Sequence, residues 1–196
     1  REGVNQYGDP VDILESGYVR FYELLGFIPK TVSNFTKNVE MIFNKKRDLL
    51  IVVGGGSLPP SMYDRPHEDE LQPNRDRMEE QVIHYCVAHG IPIIATCRGM
   101  QYINVMFGGK LWYHPKLPVN RTRGVDHQVW LGKEQRNIWV NNYHSDCIYE
   151  EGLAPCFEPL AIDRENHVVE AYGSDEMKIL ALQWHPERRF ETANAY

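Results

Sequence analysis

Long apolar runs are missing from this chain. The longest, Leu49-Leu50-Ile51-Val52-Val53, falls far short of the roughly 18–20 residues that a membrane-spanning helix needs. The N-terminus is polar, so no secretory leader is expected there, and Arg1 is not a natural start, so leading residues are expected to have been removed or left out. Cysteine is scarce and scattered: Cys86, Cys97, Cys147 and Cys156 form no C-x-x-C pair. That spacing excludes a disulfide framework and points to a reducing, cytoplasmic setting.

A basic excess is also absent. Lys and Arg number 21 against 27 Asp and Glu, a net charge of −6, which argues against nucleic acid or an anionic membrane as partner. Gly54-x-Gly56 is not completed to a dinucleotide loop, because Pro59 stands at the third glycine position, and no Gly-Lys-Ser or Gly-Lys-Thr marks a phosphate loop. Eight histidines include no H-x-x-x-H or H-x-x-E-H, and His84 and His89 do not share a helical face, so neither a metal nor another cofactor is expected. Internal repeats and low-complexity tracts are likewise absent. What is present is 196 residues with 42% hydrophobic and 24% charged side chains, enough to fill the core of a single domain.

Periodicity predicts a helix over 11–25, with Leu14, Tyr18, Phe21 and Leu25 on one face and Gly26 as its stop. A weaker helical stretch runs from Ser33 and Asn34 to about Asn44. The run 49–53 reads as a buried strand ending in Gly54-Gly55-Gly56, and the proline-rich, charged stretch 57–73 as a long surface loop. Asn74 is placed to cap a helix running to His89, with Met78, Val82, Tyr85 or Cys86, and His89 facing inward and Gly90 closing it. Residues 91–96 read as another buried strand and 100–107 as a helix stopped by Gly108-Gly109. Beyond Leu111, strands are expected over 125–131, 138–141, 159–162, 168–172 and 179–184, several of them antiparallel. The expected fold is α/β with three layers, a mostly parallel central sheet flanked by helices, and an antiparallel extension.

Three segments carry candidate chemistry. Cys97 lies directly after a buried strand and directly before a helix, where a sharp corner would present its sulfur at the carboxyl edge of the sheet, near a helix N-terminus that favours thiolate. A small buried hydrophobe is the plain alternative. His185 in Gln183-Trp184-His185-Pro186-Glu187 follows the last strand and can serve as base, with Glu187 orienting it; a surface turn is the alternative. The bare amides of Gly55 and Gly56, with that of Arg98, can form an oxyanion hole, against a merely flexible turn.

Taken together, Val53-Gly54-Gly55-Gly56, Thr96-Cys97-Arg98-Gly99-Met100-Gln101 and Gln183-Trp184-His185-Pro186-Glu187 resemble the three signature blocks of class I glutamine amidotransferase-like domains. The run from Ile91 to Gly109, with Asn74-Arg75-Asp76 and Asn142-Tyr143-His144-Ser145, is most similar to the gamma-glutamyl hydrolase branch, peptidase C26-like, which includes gamma-glutamyl-GABA hydrolase. The resemblance spans about Leu49 to Glu187. It implies a single amidotransferase-like hydrolase domain over 1–196, with the family's N-terminal strand missing. It also implies a cysteine hydrolase of gamma-glutamyl amides with Cys97, His185 and Glu187 as triad and Gly55, Gly56 and Arg98 as oxyanion donors. Gly54, Gln101, Tyr143, His144 and Ser145 would border the glutamyl pocket. The partner would be a small gamma-glutamyl conjugate, gamma-glutamyl-GABA-like or a gamma-glutamyl-CDP-amidate; homo-oligomerisation is left open. Two other readings remain at this point: a glutaminase subunit supplying ammonia to a synthase, and a non-catalytic binding module. Arg65, Arg75, Arg121, Arg123 and Arg188 are candidate phosphate readers, each with a solvated surface charge as the default.

Overall fold

A computed structural model describes residues 1–63, 71–113 and 124–188. The chain opens with a short hairpin, β1 (Glu2–Val4) and β2 (Pro10–Asp12), followed by α1 (Ser16–Leu24), β3 (Leu50–Val52), α2 (Pro73–His89), β4 (Ile93–Thr96) and α3 (Arg98–Met106). After β5 (Trp112–Tyr113) come β6 (His127–Leu131), β7 (Arg136–Val140), β8 (Asp146–Cys147), β9 (Glu158–Asp163), β10 (Val168–Ser174) and β11 (Ile179–Leu182). Strands alternate with helices first and then dominate, as the sequence pattern indicates.

Among the described residues, the main sheet has the order β3-β4-β11-β10-β9-β6-β7. β3, β4 and β11 are parallel neighbours, while β10, β9, β6 and β7 follow in antiparallel steps. Those alternations leave β7, β9, β11, β4 and β3 running one way and only β6 and β10 the other. The fold is thus the expected α/β arrangement with its antiparallel extension. No helix among the described residues is long and apolar enough to cross a membrane.

Register decides where the site can form. Val52 lies beside Ala95, and Leu182 beside Thr96, so the three parallel strands stop at one level of the carboxyl edge. The three signature segments leave the sheet there side by side, although they are far apart along the chain. Ligand sites of open α/β sheets collect at this edge because successive chain segments diverge from it.

Three elements differ from expectation. The helix predicted over 11–25 begins only at Ser16, because residues 10–12 pair with β1. The Asp12 carboxylate is occupied by Ser33 Oγ at 2.6 Å and Asn34 Nδ2 at 2.6 Å. The buried side chains of α1 are Tyr18 and Tyr22 rather than the whole predicted stripe, with Leu14 and Leu25 exposed. The stretch after Asn34 keeps one short 3-10 turn, Val39–Met41. In α2, Gln72 precedes the first turn and Pro73 occupies it, so Asn74 is inside the helix and donates to Glu2 Oε2 instead of capping. Met78, Val82 and Cys86 face inward as expected, but His89 is exposed. Gly90 ends the helix in the left-handed region at φ 64°, and Ile91 N–H returns to the Cys86 carbonyl.

α3 packs very closely on β3. A Cβ on Gly99 would stand 2.5 Å from the Val52 carbonyl oxygen and 2.8 Å from its Cγ1. Backbone cannot yield as a flexible side-chain tip can, so Gly99→Ala should destabilise the fold by about 1–3 kcal/mol. Urea unfolding checks this, and an unchanged midpoint would contradict the close approach.

Candidate active site

Cys97 sits at the corner between β4 and α3 with φ 53° and ψ −108°, a conformation that costs a non-glycine residue of order 1–3 kcal/mol. The surrounding bonds hold it there. Its N–H donates to Leu182 O at 2.7 Å, and its carbonyl accepts Gln101 N–H at 3.1 Å as the first bond of α3. Only 8% of the residue is exposed.

His185 leaves β11 two residues after Gln183, whose N–H donates to Glu170 O at 2.7 Å. Asn141 then clamps the His185 backbone from both sides: His185 N–H donates to Asn141 Oδ1 at 2.9 Å, and Asn141 Nδ2 donates to His185 O at 2.8 Å. The ring is oriented by Glu187, whose Oε1 lies 2.5 Å from His185 Nδ1. A carboxylate at that distance keeps the proton on Nδ1 and leaves Nε2 for exchange.

Gly54 reports how close the cysteine and histidine come. A Cβ there would stand 2.8 Å from His185 Cε1 and 3.2 Å from Cys97 Cβ. The two side chains therefore converge across a residue that must have none. The His185 pKa reflects this neighbourhood: burial alone would lower it, but hydrogen bonds to Cys97 and Glu187 and their charges push it up to about 9.

The glycine loop is held from below by Arg75, which is 1% exposed. Its Nη1 donates to Gly55 O at 2.7 Å and Gly54 O at 3.3 Å, and its Nη2 donates to Val53 O. Every described peptide here is trans, so drawing the Gly54 and Gly55 carbonyls toward Arg75 turns the N–H groups of Gly55 and Gly56 the opposite way. Both residues have positive φ, 85° and 79°, which glycine adopts without penalty. The Gly54 N–H is engaged with Tyr18 Oη at 2.9 Å, so Gly54 provides space rather than a donor. Arg98 turns its side chain away from the edge, onto Asp76 and onto Glu79 Oε2 at 2.6 Å, so only its backbone amide belongs to the corner. Glu79 also binds Arg75 Nε at 2.6 Å and thereby joins loop to corner.

The remaining candidates are dispersed. Gln101 is buried, its amide donating to Asp146 O and Gln183 Oε1. Tyr143 meets the His185 ring edge-on at 5.7 Å between centroids, and the Arg188 guanidinium covers its face at 4.2 Å. The His144 side chain is directed inward, with Nδ1 at 2.9 Å from Asp146 O and Nε2 at 3.7 Å from the fully buried Glu170, which His127 Nε2 also approaches at 3.3 Å. Ser145 is exposed. Among the arginines, Arg75 is a buried clamp rather than a solvated charge, and Arg65, Arg121 and Arg123 lie outside the described residues, as does part of the 57–73 stretch; its described ends are not the expected surface loop, since Ser57, Leu58, Tyr63 and Gln72 are buried and Pro73 already belongs to α2. Sequence reasoning missed Tyr18, Glu79, Asn141 and Glu170. Of these, Glu79 alone carried a local signal, its i,i+4 spacing from Arg75.

A cysteine corner facing a histidine and glutamate across the carboxyl edge of a parallel sheet defines the class I glutamine amidotransferase-like fold. A putative GMP synthase component from Thermoplasma acidophilum shares that fold, with a TM-score of 0.63 and 23% identity over 87% of this chain and 77% of that one. Within this class the chain belongs to the Peptidase C26 family, whose model matches residues 3–136 and 117–187. A putative glutamine amidotransferase-like protein, YvdE of Lactococcus lactis, is 30% identical over 74% of this chain and 68% of its own length. The gamma-glutamyl-gamma-aminobutyrate hydrolase PuuD of Escherichia coli is 25% identical over 76% and 67%.

The buried charges generate a prediction. Arg75→Met leaves Glu79 with one cation and three loop carbonyls without their donor, and should cost about 3–5 kcal/mol in urea unfolding. A loss below about 1 kcal/mol would mean that the clamp is dispensable.

Proposed function

We propose that this chain is a cysteine-dependent hydrolase that cleaves the gamma-glutamyl amide bond of a small conjugate, releasing glutamate and an amine. The observation that carries this reading is the 2.5 Å His185–Glu187 contact, with the imidazole packed across Gly54 from the Cys97 corner. Membership of the C26 family and the likeness to the Escherichia coli gamma-glutamyl-gamma-aminobutyrate hydrolase support the substrate class.

In this mechanism the Cys97 thiolate attacks the gamma-carbonyl carbon, and the carbonyl electron pair moves to oxygen. The amides of Gly55 or Gly56 and of Arg98 receive that charge. As the tetrahedral species collapses, the C–N bond breaks and the departing nitrogen takes a proton from His185 Nε2, leaving a glutamyl thioester on Cys97. Water then adds to the thioester while His185 takes its proton. Collapse breaks the C–S bond, and the returning thiolate pairs again with the imidazolium. Glu187 holds the proton on Nδ1 throughout.

The likeness to YvdE favours a second reading, a glutaminase that delivers ammonia to a partner synthase. Free glutamine and a panel of gamma-glutamyl compounds, including gamma-glutamyl-GABA and a nucleotide-linked amidate, separate the two by mass detection of glutamate. Turnover of a conjugate by the isolated chain supports the hydrolase. Ammonia release from glutamine only when cell extract is added supports the synthase-dependent glutaminase.

Cys97→Ala and His185→Ala should each reduce cleavage to background while the far-ultraviolet circular dichroism is retained; unaltered turnover in both would refute the assignment. The imidazolium form exists below about pH 9, so the rate should fall on an alkaline limb near that value. The same proton bears on stability. An unfolded histidine titrates near its ordinary value of about 6.5. The stabilisation is therefore complete below that pH and is lost as pH rises through about 9. Urea unfolding of wild type against His185→Gln should show the gap between them narrowing over this window.

A further inference from the structure

The first turn of α1 is fastened to the segment carrying His185 and Glu187. Glu15 Oε2 meets Arg188 Nη2 at 3.1 Å, and the Cβ position of Gly17 lies 3.2 Å from the Glu187 carbonyl oxygen. Between them Tyr18, 4% exposed, projects its hydroxyl into the space below Gly54. Tyr18 Oη accepts the Gly54 N–H at 2.9 Å and stands 3.4 Å from His185 Nδ1.

Proton placement fixes what that hydroxyl does. Nδ1 directs its hydrogen at Glu187 Oε1, so it has no lone pair to offer Tyr18. One lone pair of Oη already receives Gly54 N–H. The charged acceptor left for the hydroxyl hydrogen is the Glu187 carboxylate, whose buried Oε2 has no other hydrogen-bond partner among the described residues. Burial first, and then the Glu187 charge and its hydrogen bond, raise the Tyr18 pKa far above the ordinary tyrosine value, so the donor is permanent at any pH in use.

We infer that Tyr18 is a positioning residue which ties the glycine loop to the His185–Glu187 pair and, by sharing the Glu187 charge, sets how strongly the imidazolium holds its proton. This rests on the hydrolase reading above and adds to it a residue outside the three signature blocks. The other groups facing the pair are Cys97 from the corner, Tyr22 from α1, Tyr143 against the ring, and Arg188, whose Nε is 3.9 Å from Glu187 Oε1. Tyr18 differs from these in joining the pair to the loop that would hold the oxyanion.

Tyr18→Phe keeps the ring and removes the link. Gly54 N–H loses its acceptor and Glu187 a donor, so the carboxylate charge falls more fully on His185. The expected result is about a tenfold loss in kcat with KM nearly unchanged, and an alkaline limb moved to higher pH. Site-specific 3-fluorotyrosine at the same position, a stronger donor in an almost unchanged shape, should move the limb the other way. It keeps the test available if the phenylalanine variant folds poorly.

The 15N chemical shift of the His185 ring, followed across pH by NMR, reads the same proton without any substrate. If wild-type His185 titrates as an ordinary imidazole, near about 6.5, with no limb near pH 9, the hydrolase reading fails, and with it the role of Tyr18. If the wild type shows the limb and neither variant displaces it, Tyr18 only packs and the inference is overturned. Displacement in opposite directions, abolished for both variants in a Glu187→Gln background, is the supporting outcome.

Discussion

A shared carboxylate between two buried guanidiniums underlies the geometry at the sheet edge. Glu79 binds Arg75 through one oxygen and Arg98 through the other, with Asp76 completing the charge balance on Arg98. Burial alone would push the Glu79 carboxyl up, but the two cations outweigh it and hold the pKa below the ordinary carboxylate range. Such a cluster adds little net stability over an apolar core of the same volume. Its consequence is positional: Arg75 is bonded to the loop after β3, Arg98 is the first residue of α3, and the distance between loop and corner is set through Glu79.

Strain at Cys97 becomes tolerable in that setting. The left-handed φ of a residue with a side chain persists only where neighbours leave no alternative. Here β4 fixes the residue before it, the Leu182 carbonyl takes its N–H, and α3 begins immediately with a side chain locked between Asp76 and Glu79. Gly99 allows the helix to start this close to β3. The cost of the corner is thus distributed over sheet, helix and buried charge, and relaxing it would require several of these to move together.

Much of this was legible in the residues. The strands over 49–53, 91–96 and 179–184 were visible as apolar runs, and their observed cores lie inside those limits. The corner at Cys97 and the helix stops at Gly90 and Gly108 follow from local chemistry, and the structure has them where the residues indicate. Contacts between distant segments were not accessible to such reading. Tyr18 looked like one more apolar member of a helical stripe, because periodicity records which face is buried and not that a hydroxyl meets Gly54, 36 residues away. Arg75 looked like a solvated charge because nothing local reveals three carbonyls waiting behind β3. α1 starts later than its spacing predicts because hairpin pairing of residues 10–12 overrides the helical pattern.

The same loop shows why the glycines and the arginine belong together. Positive φ at Gly55 and Gly56 calls for residues without side chains, yet a run of glycines leaves its peptide planes free to rotate. In the proposed mechanism, a rotated plane would present a carbonyl where the developing negative charge requires an N–H. Arg75 removes that freedom by holding the carbonyls of Val53, Gly54 and Gly55 on the buried side. Its charge therefore acts on the loop through the orientation of fixed dipoles, which under the proposed mechanism would need no reorientation when charge develops. Tyr18 secures the preceding amide of the same loop from the opposite direction, accepting Gly54 N–H. Between the two, the loop has its carbonyl face fixed by a cation and its leading amide fixed by a neutral hydroxyl, which leaves the amides of Gly55 and Gly56 as the groups aimed away from the Arg75 clamp.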